Sequence, residues 1–178
     1  EAKDLEPGDM LLCSSFDGST WSTGIQPELS YLKGLVDGDG LILVGYHYKR
    51  KRSEIRIFDN QREFLEKVQI LALGMGAKAS VRKSAKNCYE LDIYGELAKQ
   101  VDSLDFKFIL KDLEAFRAWV AGFFDAEGYV EKTRMRVKIT NSKRELLEKI
   151  SDALRITGMR TYLSSGGVSR GSRCWQLC

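Results

Sequence analysis

Leu32-Lys-Gly-Leu-Val-Asp-Gly-Asp-Gly40 returns 88 residues later as Val120-Ala-Gly-Phe-Phe-Asp-Ala-Glu-Gly128. The surrounding chain repeats in the same order. Ile57-Phe-Asp-Asn-Gln-Arg-Glu-Phe-Leu-Glu-Lys67 returns as Ile139-Thr-Asn-Ser-Lys-Arg-Glu-Leu-Leu-Glu-Lys149, Gly76 as Gly158, and Cys88-Tyr-Glu-Leu91 as Cys174-Trp-Gln-Leu177. The offset changes only between segments, as in two homologous halves whose loops differ in length.

Each half reads as helix, two strands, helix, two strands. Tyr31, Leu32, Leu35 and Val36 share one face of a helix ending at Asp37, and Phe116, Trp119, Val120, Phe123 and Phe124 share the matching face of its counterpart. Strands are predicted over 41–49 and 53–59, and over 129–133 and 135–140. In the last of these Met135, Val137 and Ile139 alternate with Arg134, Arg136, Lys138 and Thr140, as expected of an antiparallel sheet covered on one face only. Helices over 61–73 and 143–155 follow, then strands near 78–83, 88–93, 159–164 and 173–177. The expected fold is α+β, with two pseudo-symmetric halves over 29–105 and 106–178 behind an N-terminal extension, 1–28. The first half continues into a helix near 95–103. The second reaches Cys178 where its counterpart is due, so apolar surface there calls for another cover, and the acidic residues 1–28 are one candidate.

With 178 residues, 43% hydrophobic and 30% charged, the chain reads as a globular protein without low-complexity tracts. No apolar run is long enough to span a bilayer. The cysteines (Cys13, Cys88, Cys174, Cys178) form no C-x-x-C pair, which argues against a Cys-only zinc site and for a reduced, intracellular protein of cytoplasm or nucleoid. One histidine, His47, leaves little room for a Ser-His triad or a nuclease built on several histidines.

The net charge of +3 hides an asymmetry: residues 1–40 carry eight acids and two bases, the remainder seventeen acids and twenty-six bases. The bases cluster at 49–56, 78–86, 132–144 and 155–173, the footprint of a polyanion partner. Arg56, Arg82, Arg134, Arg136 and Lys138 fall on predicted polar strand faces, where arginine can read guanine. The loop groups Lys49, Arg50, Lys51 and Arg52, Lys83 and Lys86, and Arg170 and Arg173 suit phosphate contacts.

Both motif helices run into Asp-x-(Asp or Glu)-Gly. Carboxylates are unfavourable at the negative pole of a helix, so Asp39 and Glu127, each preceded by a further acid (Asp37, Asp125), ask for a cation. Gly34 and Gly122 would let the two backbones approach closely, bringing the acids to one end of a shared seam. Hard divalent ions such as Mg²⁺ favour such oxygen ligands.

The paired motifs resemble those of the LAGLIDADG homing endonucleases in their single-chain, two-motif form, over about residues 29–178. The resemblance implies a saddle of two antiparallel sheets on the DNA major groove, with the motif helices packed between the halves. It implies a monomer that hydrolyses one phosphodiester on each strand of a long, asymmetric double-stranded target, with Mg²⁺ as cofactor and Mn²⁺ or Ca²⁺ able to replace it in binding. By the same resemblance Asp39 and Glu127 are the metal ligands, helped by the carbonyls of Gly38 and Ala126, while Asp37 and Asp125 are structural. Polar and basic residues are expected around a metal-activated water. Asn60 and Asn141 fit the polar role, and Lys107, Lys111 and Lys132 are candidates for the basic one. A non-cleaving binder on the same scaffold, an RNA maturase or a transcription regulator, is the alternative. Ala2-Lys-Asp-Leu-Glu-Pro-Gly-Asp-Met-Leu11 also resembles the segment preceding the endonuclease insert of inteins. No splicing nucleophile opens the chain and no His-Asn pair closes it, so self-splicing is not expected.

Overall fold

The computed structural model describes residues 24–47, 50–85, 87–134, 136–169 and 172–178. Most of the extension 1–28, together with Lys49, Lys86 and Arg170, therefore lies outside the described residues. The order is α1 (Pro27–Asp39), β1 (Gly40–His47), β2 (Arg50–Asp59), α2 (Arg62–Gly74), β3 (Lys78–Ala85), β4 (Cys88–Tyr94), α3 (Glu96–Ser103), a single turn α4 (Phe106–Ile109), α5 (Leu113–Glu127), β5 (Gly128–Glu131), β6 (Arg136–Asn141), α6 (Arg144–Ile156), β7 (Leu163–Ser169) and β8 (Ser172–Leu177). The fold is α+β. The strands form two antiparallel sheets of identical topology, β1-β2-β4-β3 and β5-β6-β8-β7.

Local chemistry sets the motif-helix ends. Pro27 opens α1, where its missing N–H costs nothing. Asp112 caps α5, its carboxylate accepting the Ala115 N–H at 3.0 Å. α1 runs two residues beyond the expected stop at Asp37; Asp39 and Glu127 are the last residues of α1 and α5, and the following glycine N–H bonds back to Val36 O and Phe124 O. No basic side chain occupies the last turn of either helix.

Each half has its own core. Leu32, Leu35 and Val36 of α1 pack with Ile55 and Ile57 of β2, Leu91 and Ile93 of β4, Leu65 and Val68 of α2, and Leu97 and Val101 of α3. Phe116, Trp119 and Phe123 of α5 pack with Ile139, Leu177, Leu147 and Ile150. Burial thus follows the expected helical and strand periodicities at most positions.

Four local expectations are corrected. Arg134 sits in the β5–β6 turn rather than on a strand face. β7 starts at Leu163 rather than near 159, and its register shifts between Ser165 and Gly167, where Gly167 has φ +91°. Val137 shares the inward parity of Ile139 yet is 57% exposed, while its counterpart Ile55 is fully buried. The difference is α3, whose Leu97, Ala98 and Val101 join the core against Ile55. Among the described residues no helix covers Val137 in this way. Arg50, Lys51 and Arg52 lie in β2, paired with His47, Tyr46 and Gly45, and not in a loop.

Candidate active site and nucleic-acid interface

The two motif helices meet along glycine. A Cβ on Gly34 would collide with the Trp119 carbonyl and come within 2.7 Å of the Phe123 nitrogen. A Cβ on Gly122 would collide with the Tyr31 carbonyl and come within 3.0 Å of the Leu35 nitrogen. The approach expected from Gly34 and Gly122 is therefore backbone against backbone. Nearer the helix ends, a Cβ on Gly38 would lie 2.5 Å from the Ala126 Cβ and 3.1 Å from the Glu127 Cγ. Gly38 and Ala126 thus face each other across the seam immediately before the terminal acids.

Asp37 and Asp125 act within this seam. Trp119 Nε1 donates to Asp37 Oδ2 at 2.9 Å, and Tyr31 Oη donates to Asp125 Oδ2 at 2.7 Å. Lys33 also pairs with Asp37 one turn away. Burial, with the bond to Asp125 behind it, raises the Tyr31 phenol above its ordinary value. Neither aromatic was singled out as a site residue from sequence, although both sat in the quoted helix faces; Tyr31 and Trp119 occupy the same place in the two repeats.

Asp39 and Glu127 come together at the end of the seam. The Glu127 carboxyl is raised above its ordinary value by burial first and by the Asp39 charge second. Asn141 Nδ2 donates to Glu127 Oε1 at 2.8 Å, and the Lys143 charge acts on the same carboxylate in the opposite sense to Asp39. Asn141 Oδ1 also accepts the Lys143 N–H at 2.8 Å, so one buried amide ties the start of α6 to the acid.

The structural partner of Asn141 is Asp59, not Asn60. Ile57 pairs with Gly40 as Ile139 pairs with Gly128, and Asp59 Oδ1 accepts the Gln61 N–H at 2.6 Å as Asn141 accepts that of Lys143. Asn60 lies one residue beyond β2 and is exposed. The proposed lysines are also not brought to the acids. Lys107 pairs with Asp105, and both Lys107 and Lys111 lie over the Phe108 ring, at the opposite end of α5 from Glu127. That helix has fifteen residues, a rise of roughly 20 Å. Lys132 is exposed in the β5–β6 turn. Among the described residues, Lys143 is the base whose charge acts on Glu127; in the sequence it is marked only as a member of the 132–144 charge cluster.

The donor set suits one kind of ion. Two carboxylates share the negative poles of two helices, directly after the facing residues Gly38 and Ala126, and no cluster of three or more His, Cys, Asp or Glu exists among the described residues. Mg²⁺ is commonly held by one or two carboxylates, keeping waters and taking substrate phosphates for the remainder. The residues fit such an ion and do not fit a zinc cage.

The sheet faces turned away from the helices carry the expected bases. Arg56 lies 2.6 Å from Glu54 and 3.4 Å from both Glu90 and Asp92; Arg82 lies 3.0 Å from Glu90 and 3.0 Å from Asp92. Arg136 donates to Tyr162 Oη, and Lys138 pairs with Glu131 at 3.0 Å. Lys83 and Arg173 were expected in loops; instead Lys83 is exposed on β3 and Arg173 lies in β8. Among the described residues no helix is long and apolar enough to cross a membrane.

Comparison with known proteins places this geometry. The LAGLIDADG-like domain matches residues 26–101 and 114–175. The chain is similar in structure to I-DmoI in complex with DNA and Mn, at a TM-score of 0.68 and 22% identity over 85% of this chain and 89% of that one. The homing endonuclease I-DmoI in complex with DNA and Ca gives 0.69 and 23%, over 85% and 81%. Full-length DUF199/WhiA from Thermatoga maritima gives 0.61 and 15%, over 85% and 50%.

Proposed function

The chain belongs to the LAGLIDADG-like domain family, and from that premise we propose that it is a site-specific double-strand DNA endonuclease, using Mg²⁺ and acting as a monomer on a long asymmetric target. Its units are the halves 29–105 and 106–178, behind the extension 1–28. The observation that carries this reading is the convergence of Asp39 and Glu127 at one end of the α1–α5 seam, where the Asp39 charge helps to raise the half-buried Glu127 carboxyl. The DNA and metal ions in the I-DmoI structures support the choice of polymer and of cofactor type.

In this reading Asp39 and Glu127 hold the divalent cation, with the Gly38 and Ala126 carbonyls next to them. Once bound, such an ion supplies charge against the developing phosphate oxyanion and lowers the pKa of water towards neutrality. The remaining work belongs to the chain. Asn141 fixes the Glu127 carboxylate through its amide, Lys143 offsets the joint charge of the two acids, and the Trp119–Asp37 and Tyr31–Asp125 bonds hold the helix ends in register. Arg56, Arg82, Arg136 and Lys138 contact the duplex, and Arg50, Lys51, Arg52, Lys83 and Arg173 lie on strands that extend this surface.

The test is incubation with a randomised duplex library in Mg²⁺ and in EDTA, with sequencing of new ends. Ends at a defined sequence that require Mg²⁺, and that vanish in Asp39→Asn and Glu127→Gln, are the expected result. Sequence-selective binding without new ends would overturn the nuclease assignment in favour of a non-cleaving binder.

A further inference from the structure

The open face of the first sheet carries something the second lacks. Arg56 on β2 pairs in register with Asp92 on β4, and Arg82 on β3 with Glu90 on β4. These four side chains share the face opposite Ile55, Ile57, Leu91 and Ile93, which form the core. Glu90 is 5% and Asp92 1% exposed, although among the described residues no helix packs on their side of the sheet. The arginines bury them: each carboxylate lies within 3.4 Å of both guanidinium groups, so acids and bases alternate across three strands. The Arg56 and Arg82 side chains keep 32% and 54% exposure, with their outer parts towards solvent.

The equivalent positions of the second sheet are Lys138 for Arg56, Gln176 for Glu90, Ser164 for Arg82 and Cys178 for Asp92, from the matching registers Val81–Leu91 and Leu163–Leu177. Arg136 stands where the first sheet has Glu54. Around Glu90 and Asp92 three bases, Arg56, Arg82 and Lys78, thus meet three acids, Glu54, Glu90 and Asp92, whereas at the equivalent positions of the second sheet Arg136 and Lys138 meet Glu131 alone. Further along β2, Arg50 and Arg52 continue the register alternation of Arg56.

Balance changes what an arginine does on DNA. Phosphate attraction follows net positive charge, whereas base reading needs a guanidinium fork held at a fixed angle. Two nearly buried carboxylates cancel the first and supply the second. Stability alone does not call for them, because a buried ion network is usually no more stable than apolar side chains of the same size. Resting on the function proposed above, we propose that Glu90 and Asp92 are positioning residues for sequence readout: together with Glu54 on Arg56, they clamp Arg56 and Arg82 so that these two guanidinium groups read base edges in the major groove and do not grip phosphate.

The experiment is binding selection from randomised duplex DNA in EDTA, with salt titrations on a preferred and an unrelated duplex, using the full chain and its Glu90→Gln and Asp92→Asn variants. The preference at base pairs beneath the first half should fall about tenfold, the unrelated duplex should bind more tightly, and the slope of log K against log salt should steepen by about 0.9 for each new phosphate contact. Unchanged preference and unchanged slope in folded variants would overturn the proposal. Arg56→Gln and Arg136→Gln provide a second measurement should the acid variants fail to fold. Arg56→Gln should erase base preference with little change in slope, and Arg136→Gln should flatten the slope by about 0.9. An Arg56→Gln chain that loses slope as Arg136→Gln does, with its preference intact, would also overturn it. Absence of duplex binding by the unaltered chain would remove this proposal and the endonuclease reading together; the other outcomes strike the clamp alone.

Discussion

Trp119 donates its indole N–H to Asp37 across the seam at 2.9 Å, and Tyr31, the same position in the other repeat, donates to Asp125 at 2.7 Å. Each motif helix is therefore pinned by the first acid of the other. The two locks differ in burial: Trp119 is fully buried and Asp125 is exposed. Trp119→Phe should cost about 1–3 kcal/mol, because it removes a bond made from a fully buried ring and leaves a void there, although Lys33 still pairs with Asp37. Tyr31→Phe should cost less than about 1 kcal/mol because water replaces the phenol. Urea unfolding of both variants checks this; equal losses would contradict the burial argument.

Gly34→Ala and Gly122→Ala each push a methyl group into the backbone of the facing helix. Relief requires the helices to separate, and overpacking of this kind costs about 1–3 kcal/mol or more. Gly74→Ala, with nothing within 4 Å of the added methyl, is the control. Thermal midpoints should fall by several degrees in the two seam variants and stay within about a degree in the control.

Gly38→Ala probes the site more than the fold. Its methyl would meet the Ala126 Cβ and the Glu127 Cγ at the end of the seam, where the helices have more freedom to splay. Cleavage should fall at least tenfold, with a stability loss smaller than that of Gly34→Ala. A variant that loses stability but cleaves at the normal rate would show that the Glu127 side chain accommodates the intrusion.

Asn141→Ala removes the donor to Glu127 and the acceptor for the Lys143 N–H in one step. Groups that orient a metal ligand typically contribute 10–100-fold. Apparent Mg²⁺ affinity in the cleavage assay should weaken by that factor, whereas Asn60→Ala, at an exposed position outside β2, should leave the affinity unchanged. Equal effects from the two asparagines would count against the assignment of Asn141.

Asp92 gives stability a defined dependence on pH. Burial, followed by the Glu90 charge, raises its carboxyl above the ordinary value, against the opposing charge of Arg82. The folded chain then holds this proton more tightly than the unfolded chain. The contribution of Asp92 to stability is fully present below the unfolded value and is lost as pH rises through the raised folded one. Asp92→Asn should flatten the stability profile across the mildly acidic range, as measured by urea midpoints at a series of pH values. An unchanged profile would mean that the carboxyl titrates normally.

Much of this was legible before any coordinates. The repeat gave two halves, the apolar periodicities gave the helix faces that became the two cores, and the glycines at 34 and 122 marked where the backbones touch. Expectations failed in two ways. Asn60 and Asn141 are both asparagines near a strand end, yet the repeat of 57–67 in 139–149 itself sets Asp59 against Asn141, and the strand register agrees. Elsewhere the deciding contact was distant in sequence. Lys107 and Lys111 are near the second motif in sequence, yet a helix of fifteen residues carries its two ends far apart. Lys143 and Tyr31 carried no motif that marked them.

The sequence by itself determined the doubled architecture and the acids that end its motif helices, because helix and strand periodicity and the special demands of glycine and carboxylate are local properties of the chain. Only the tertiary structure decided which side chain stands beside each acid, and that Arg56 and Arg82 are held by Glu90 and Asp92. Those relations depend on strand register and on the rotation of one helix against another, which pair residues tens of positions apart and leave no periodic trace in the order of amino acids.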